Sequence, residues 1–144
     1  MRTVNQLLQA KGSGAWSVSP NTSVYDALVL MADKNVGAVL VMDGNILAGI
    51  FSERDYARKV VLHGKSSRDM PVREIMTARV VCVRPDQTIE ECMALMTDKH
   101  IRHLPVIEGD RVVGVVSIGD VVKAVISEQS FIIEQLENYI TGAR

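Results

Sequence analysis

One gapless duplication constrains this chain more than any other feature: residues 18–56 lie over residues 83–121 at a constant offset of 65, with 11 of 39 positions identical. The identities include Pro20/Pro85, Met31/Met96, Lys34/Lys99, Val41/Val106, Gly44/Gly109, Gly49/Gly114, Ser52/Ser117 and Asp55/Asp120. Twelve of the other 28 pairs, such as Val24/Ile89 and Leu47/Val112, exchange one apolar residue for another. Self-similarity in register means that one supersecondary unit is written twice.

Each copy reads as strand, helix, strand, strand, helix. Val24, Ala27, Leu28 and Met31 fall at i, i+3, i+4 and i+7, and Ile89, Cys92, Met93 and Met96 repeat the stripe, so each copy offers one apolar helix face. Thr88 with Glu91 three places on is a capping box for the second of these helices. "GAVLVM" and "AGIF" flank "DGN", while "HLPVI" and "VVGVV" flank "EGDR", and each set predicts a hairpin turning at Gly44 or Gly109. A helix covers only one face of its small sheet. The remaining apolar surface has to be shared, so the two copies are expected to pack as a pseudo-twofold pair, an α/β (α+β) architecture with an added C-terminal helix. The expected boundaries are a lead-in at 1–15, copy one at 16–62, a linker at 63–75, copy two at 76–127 and a terminal helix at 128–144.

At 144 residues and 47% hydrophobic content the chain can bury a core without disulfides or metals. Its 16 basic and 17 acidic side chains give no field of the kind that neutralises a nucleic-acid backbone. No apolar run reaches the ~18 residues of a membrane span, and "MRTVNQLLQAKGSG" has neither an apolar core nor a cleavage site, so a cytosolic address is expected. Cys82 and Cys92 lack CxxC spacing and read as two reduced, buried thiols.

The chemistry concentrates at "GIFSERDY" and "GVVSIGDV", where Ser52 and Asp55, or Ser117 and Asp120, stand at a strand-to-helix junction. A Ser N-cap with an acidic residue three places on is a capping arrangement, and capping alone explains either copy. The same geometry also suits a nucleotide. Free N–H groups at a helix start attract phosphate, and a carboxylate accepts ribose hydroxyls. "KHIRHLPV" adds Arg102 and His103 as phosphate donors, with a solvated surface as the alternative. Arg54, Arg58 and Lys59 form a basic turn, equally a solvated helix face. Trp16 reads as core more readily than as a base platform.

The ordered segments "VSPNTSVYDALVLM…VGAVLVMDGNILAGIFSERD" and "VRPDQTIEECMALM…IRHLPVIEGDRVVGVVSIGD" resemble two tandem cystathionine-β-synthase-type (CBS) domains, the pair called a Bateman module. "VREIMT" at 72–77 is similar to the segment that introduces such a domain. The resemblance implies adenosine-containing ligands, an adenine nucleotide or NAD bound for regulation and not as a catalytic cofactor, in clefts between the copies. It implies one cleft with Asp120 on the ribose, Ser117 on phosphate or sugar and Val115 against the base, walled by Trp16 and by Val36, Gly37 and Ala38. A related cleft would use Asp55, Ser52 and Ile50, with Thr77, Val81 and Ile101. Arg54 before Asp55 against Gly119 before Asp120, and Arg102 and His103 against Gly37 and Ala38, make the clefts unequal.

A metal site from His100, His103 and Cys92 lacks ligand spacing, and a Cys92/His103 hydrolase needs an activated thiol where the pattern places a core one. The linker "HGKSSRDMP" reads as a surface connection able to move with ligand. In "VVKAVISEQSFIIEQLENYI", Phe131, Ile132, Leu136, Tyr139 and Ile140 form a stripe that either folds back or pairs with a second chain. The resemblance implies a homodimer. The expected function is a nucleotide-sensing module without catalysis, signalling to a separate effector protein, the alternative being a dimerisation and docking module with vestigial pockets.

Overall fold

Glycines at positive φ turn both hairpins: Gly44 at 62° and Gly109 at 63° each lead a two-residue loop, a conformation costly for any side chain with a Cβ. The structure is a computed structural model and describes residues 2–12, 14–66 and 68–141. In chain order the elements are α1 (Val4–Lys11), β1 (Ser17–Val18), α2 (Val24–Lys34), β2 (Ala38–Asp43), β3 (Ile46–Ser52), α3 (Glu53–Tyr56), α4 (Ile89–Lys99), β4 (His103–Glu108), β5 (Arg111–Ser117) and α5 (Ile118–Thr141). β2 pairs antiparallel with β3 and β4 with β5, and both hairpins carry a register irregularity at the same place, after Val41 and after Val106. The duplication thus reaches down to the bulge.

The predicted helix stripes are buried as expected at Val24, Ala27 and Met31 and at Ile89, Cys92 and Met96, although Met93 turns outward. Ser23 caps α2, and Thr88 with Glu91 forms the capping box of α4. Both helices end on a left-handed residue, Asn35 at φ 54° and His100 at φ 55°.

The first strand of copy two departs from expectation. In copy one β1 pairs parallel with β2, and the Leu40 N–H donates to the Trp16 carbonyl over 2.9 Å. The counterpart of Leu40 is Pro105, which has no N–H. Copy two retains a single parallel bridge between Val83 and Val106. The closing helices differ as well. α3 passes after one turn into a π-helix at Ala57–Val61, whereas α5 runs unbroken for 24 residues.

Two separate hydrophobic clusters fill the molecule, and each is completed by the segment that precedes the other copy. Val4, Leu7 and Leu8 of α1 lie in the core of copy two, while Val72 and Ile75 lie in the core of copy one. The backbone bonds match pair for pair. Val4 N–H to Gln87 O corresponds to Val72 N–H to Thr22 O, Asn5 to Pro85 corresponds to Arg73 to Pro20, and Ile89 to Arg2 corresponds to Val24 to Met70. These lead-ins, "VNQLLQAK" and "VREIMTAR", recur at an offset of 68 instead of 65. The three extra residues fall between Lys11 and Val18 and lengthen the loop that carries Trp16. The C-terminal part of α5 does not fold back: Phe131, Ile133, Leu136, Tyr139 and Ile140 are exposed.

Candidate functional site

The swapped lead-ins bring both Ser-x-x-Asp turns to cavities between the copies. In each turn the carboxylate is held by its own cap: the Ser52 N–H donates to Asp55 Oδ2 and the Ser117 N–H to Asp120 Oδ2, both over 2.9 Å. In return the Asp55 and Asp120 N–H groups donate to the Ser52 and Ser117 hydroxyls over 3.3 and 3.1 Å. The caps exist, and they fix each carboxylate in a cavity wall.

The Asp120 cavity encloses about 470 Å³ and gathers Trp16, Val36, Gly37, Ala38, Val115 and Ser117 around that carboxylate. The sequence reading did not anticipate Lys11. Its Nζ lies 2.6 Å from Asp120 Oδ2 and donates to the Val115 carbonyl over 2.9 Å, so an ammonium group occupies the place where the resemblance puts a ribose. Burial by itself pushes the Asp120 carboxyl up, but the bond and charge of Lys11 and the Ser117 bonds together outweigh it and hold the carboxyl below its ordinary value.

The Asp55 cavity encloses about 400 Å³ and gathers Ile50, Ser52, Arg54, Thr77, Val81 and Ile101 around its carboxylate. Asp55 Oδ1 accepts from the Thr77 hydroxyl at 3.2 Å and lies 3.1 Å from Lys59 Nζ. Arg54 spans to copy two in the same cavity wall, donating through Nη1 to the His100 carbonyl over 2.8 Å. Arg58, Arg79 and His100 also line this cavity. Because α3 runs on without a break into the π-helix, both motifs open a helix of two turns or more and offer the helix-start attraction expected for phosphate.

Gly37, Ile50, Arg102 and His103 line both cavities and form the partition between them. Gly37 faces the His103 imidazole, and a Cβ there would lie 3.5 Å from the ring, in ordinary contact. Burial pushes His103 below its ordinary value of 6.5; Asp120 opposes this, and Lys11 and Arg102 reinforce it. The sign follows: below about pH 6.5 the unfolded chain gains a proton that folded His103 refuses, so stability falls with acidification. The melting temperature is therefore expected to drop more between pH 7.5 and 5.5 in the wild type than in His103→Gln. Equal drops by calorimetry would assign the effect to other groups.

All sixteen residues expected at the clefts line one cavity or the other. Trp16 is 45% exposed, which corrects its reading as core; it lines the Asp120 cavity with Lys34 Nζ 4.5 Å from its ring centroid. Lys11 and Arg79 were missed, yet both carried a signal, since they occupy equivalent places at the ends of the two lead-ins. Burial, aided by Glu91, pushes the Cys92 thiol up to about 11, which leaves it inert as a nucleophile. Among the described residues no three His, Cys, Asp or Glu side chains cluster as metal ligands, and no helix is long and apolar enough to cross a membrane.

The family model for the CBS domain matches residues 14–62 and 72–127. The mitochondrial CBS domain-containing protein CBSX3 of Arabidopsis thaliana is 41% identical over 97% of this chain and 72% of its own. Among solved structures, a protein with CBS domains from Burkholderia ambifaria is 55% identical and superimposes with a TM-score of 0.86 over 88% of this chain and 96% of its own. A CBS domain pair solved with 5′-methylthioadenosine and S-adenosyl-L-methionine is 23% identical, with a TM-score of 0.77 over 88% of this chain and 97% of its own, a likeness of fold.

Proposed function

This chain belongs to the CBS domain family, and from that premise we propose that it is a regulatory module whose two cavities take adenosine-containing ligands of the AMP, ADP, ATP, NAD or S-adenosylmethionine class. It does no chemistry of its own; occupancy changes the geometry between the copies and is passed to a separate partner protein. Such coupling requires a ligand that prefers one geometry over another. The observation that carries the reading is the pair of carboxylates, Asp55 and Asp120, each fixed by a cap in the wall of an inter-copy cavity. A fixed carboxylate accepts from ribose hydroxyls without first being ordered.

A thermal-shift series with AMP, ADP, ATP, NAD and S-adenosylmethionine tests it. A ligand at 100 times its Kd adds about 2.7 kcal/mol, a shift of several degrees. Five unmoved melting temperatures would sink the reading. For the Asp120 cavity, Asp120→Asn keeps an acceptor for the cap but loses the charge, and affinity there should fall ~10-fold or more. Unchanged titrations by calorimetry would remove Asp120 from ligand recognition.

A second reading, a dimerisation and docking module with vestigial cavities, draws on the Lys11–Asp120 pair, which satisfies the carboxylate internally. Lys11→Met separates the two. A working cavity binds its ligand with altered affinity once the ammonium is gone, and a vestigial one stays silent in both proteins. In either reading the exposed apolar stripe of α5 is the surface for a second copy of the chain.

A further inference from the structure

We propose that the two cavities divide their ligands by phosphate number: the Asp55 cavity takes a nucleoside di- or triphosphate, and the Asp120 cavity an adenosine ligand with at most one phosphate. This rests on the adenosine reading above. The Asp55 cavity is lined by five cationic side chains, Arg54, Arg58, Lys59, Arg79 and Arg102, against two carboxylates, Glu53 and Asp55. The Asp120 cavity has two, Lys11 and Arg102, against one.

Three repeat positions differ in the positive charge they bring to the cavities: Arg54 against Gly119, Arg58 against Lys123, which is not in the Asp120 cavity wall, and Lys59 against Ala124. Asp55 is neutralised from within its own copy by Lys59, four residues on. The counterpart of Lys59 is Ala124, buried in the copy-two core, so Asp120 takes its cation from the lead-in residue Lys11. Arg79, which corresponds to Lys11 in the other lead-in, is thereby released. Among the described residues Arg58, Arg79 and Arg102 form no hydrogen bond or ion pair through their side chains. Three uncommitted guanidinium groups around one cavity repel one another, and a chain of phosphates relieves that repulsion while matching their planar forks. The Asp120 cavity replaces Arg54 with Gly119 and adds the uncharged loop Gly14, Ala15 and Trp16. It offers a polyphosphate little to bind.

The test is calorimetric titration of the full chain in metal-free buffer with ATP, AMP and inorganic tripolyphosphate, on the wild type, Asp55→Asn and the double variant Arg58→Gln/Arg79→Gln. Both arginines are exposed and unpaired, so the double variant should melt within about 1 °C of the wild type. ATP is expected to bind at least ~10-fold tighter than AMP at the site lost in Asp55→Asn, and the double variant to weaken ATP ~10-fold or more while leaving AMP within about twofold. Tripolyphosphate should compete with ATP but bind more weakly, for want of the sugar contact. AMP as tight as ATP at that site, or equal weakening of both in the double variant, overturns the division alone. Tripolyphosphate as tight as ATP overturns the nucleoside assignment. Failure of ATP to bind at that site overturns the division, and the adenosine reading beneath it falls only if ADP, NAD and S-adenosylmethionine also leave the melting temperature unmoved.

Discussion

Deleting residues 2–12 is expected to unfold copy two and leave copy one folded. Val4, Leu7 and Leu8 are buried in the copy-two cluster beside Leu104, Val106 and Val116. At 1.5–3 kcal/mol for each buried side chain, their loss removes about 6 kcal/mol, a large part of the 5–15 kcal/mol that holds a domain together. The backbone partners at Gln87, Pro85 and Ile89 are lost with them. Copy one depends on Val72 and Ile75, which the deletion spares. Hydrogen exchange reads the outcome by strand: β4 and β5 amides should exchange at least ~100-fold faster, and β2 and β3 amides should change little. Uniform acceleration would mean that the two clusters melt as one unit.

Gly49→Ala should cost about 2–3 kcal/mol and Gly114→Ala about 1 kcal/mol, although the two glycines are equivalent in the repeat. A Cβ on Gly114 would come within 2.7 Å of Leu8 Cδ2, the far end of a side chain that can rotate. A Cβ on Gly49 would come within 2.7 Å of both Met76 Sδ and the Thr77 carbonyl oxygen. That oxygen accepts from the Ile50 N–H at 3.0 Å, and the Thr77 N–H donates to the Ile50 carbonyl at 2.9 Å, so backbone has to move and two bonds stretch. The Thr77 hydroxyl moves with it, away from Asp55. Urea midpoints at constant m-value measure the difference. Equal losses would show that the bridge between Ile50 and Thr77 yields as easily as a leucine methyl.

The offset of 65 made the paired helix stripes and both glycine turns readable, local spacing gave the Thr88 capping box, and the residues at the cavities came from the resemblance to CBS domains. Its limits are physical as well. Pro105 sits within an apolar run and looks harmless until the missing N–H is weighed against the Leu40 bond. At an offset of 65 Val4 aligns with Asp69, and only a shift of three residues sets it against Val72, so the crossing of the lead-ins was hidden. Lys11 ends a short helix, where a lysine normally reads as solvated or as complementing the dipole. Nothing local marks it as the partner of a carboxylate 109 residues away. Trp16 follows Gly12 and Gly14 in a loop, so no periodicity assigned it a face.

The crossed lead-ins bear on ancestry. A chain of half this length, one copy with its own lead-in, closes its core only by lending that lead-in to a second molecule and receiving one back, which is a domain-swapped homodimer. The present chain has the connectivity of such a dimer with its two halves joined between copy one and the second lead-in. Fusion sets the effective concentration of the halves in the millimolar range, whatever the amount of protein. It also frees them from identity. A self-swapped dimer must present two equal cavities, whereas the fused chain carries Lys59 in one half and Ala124 in the other.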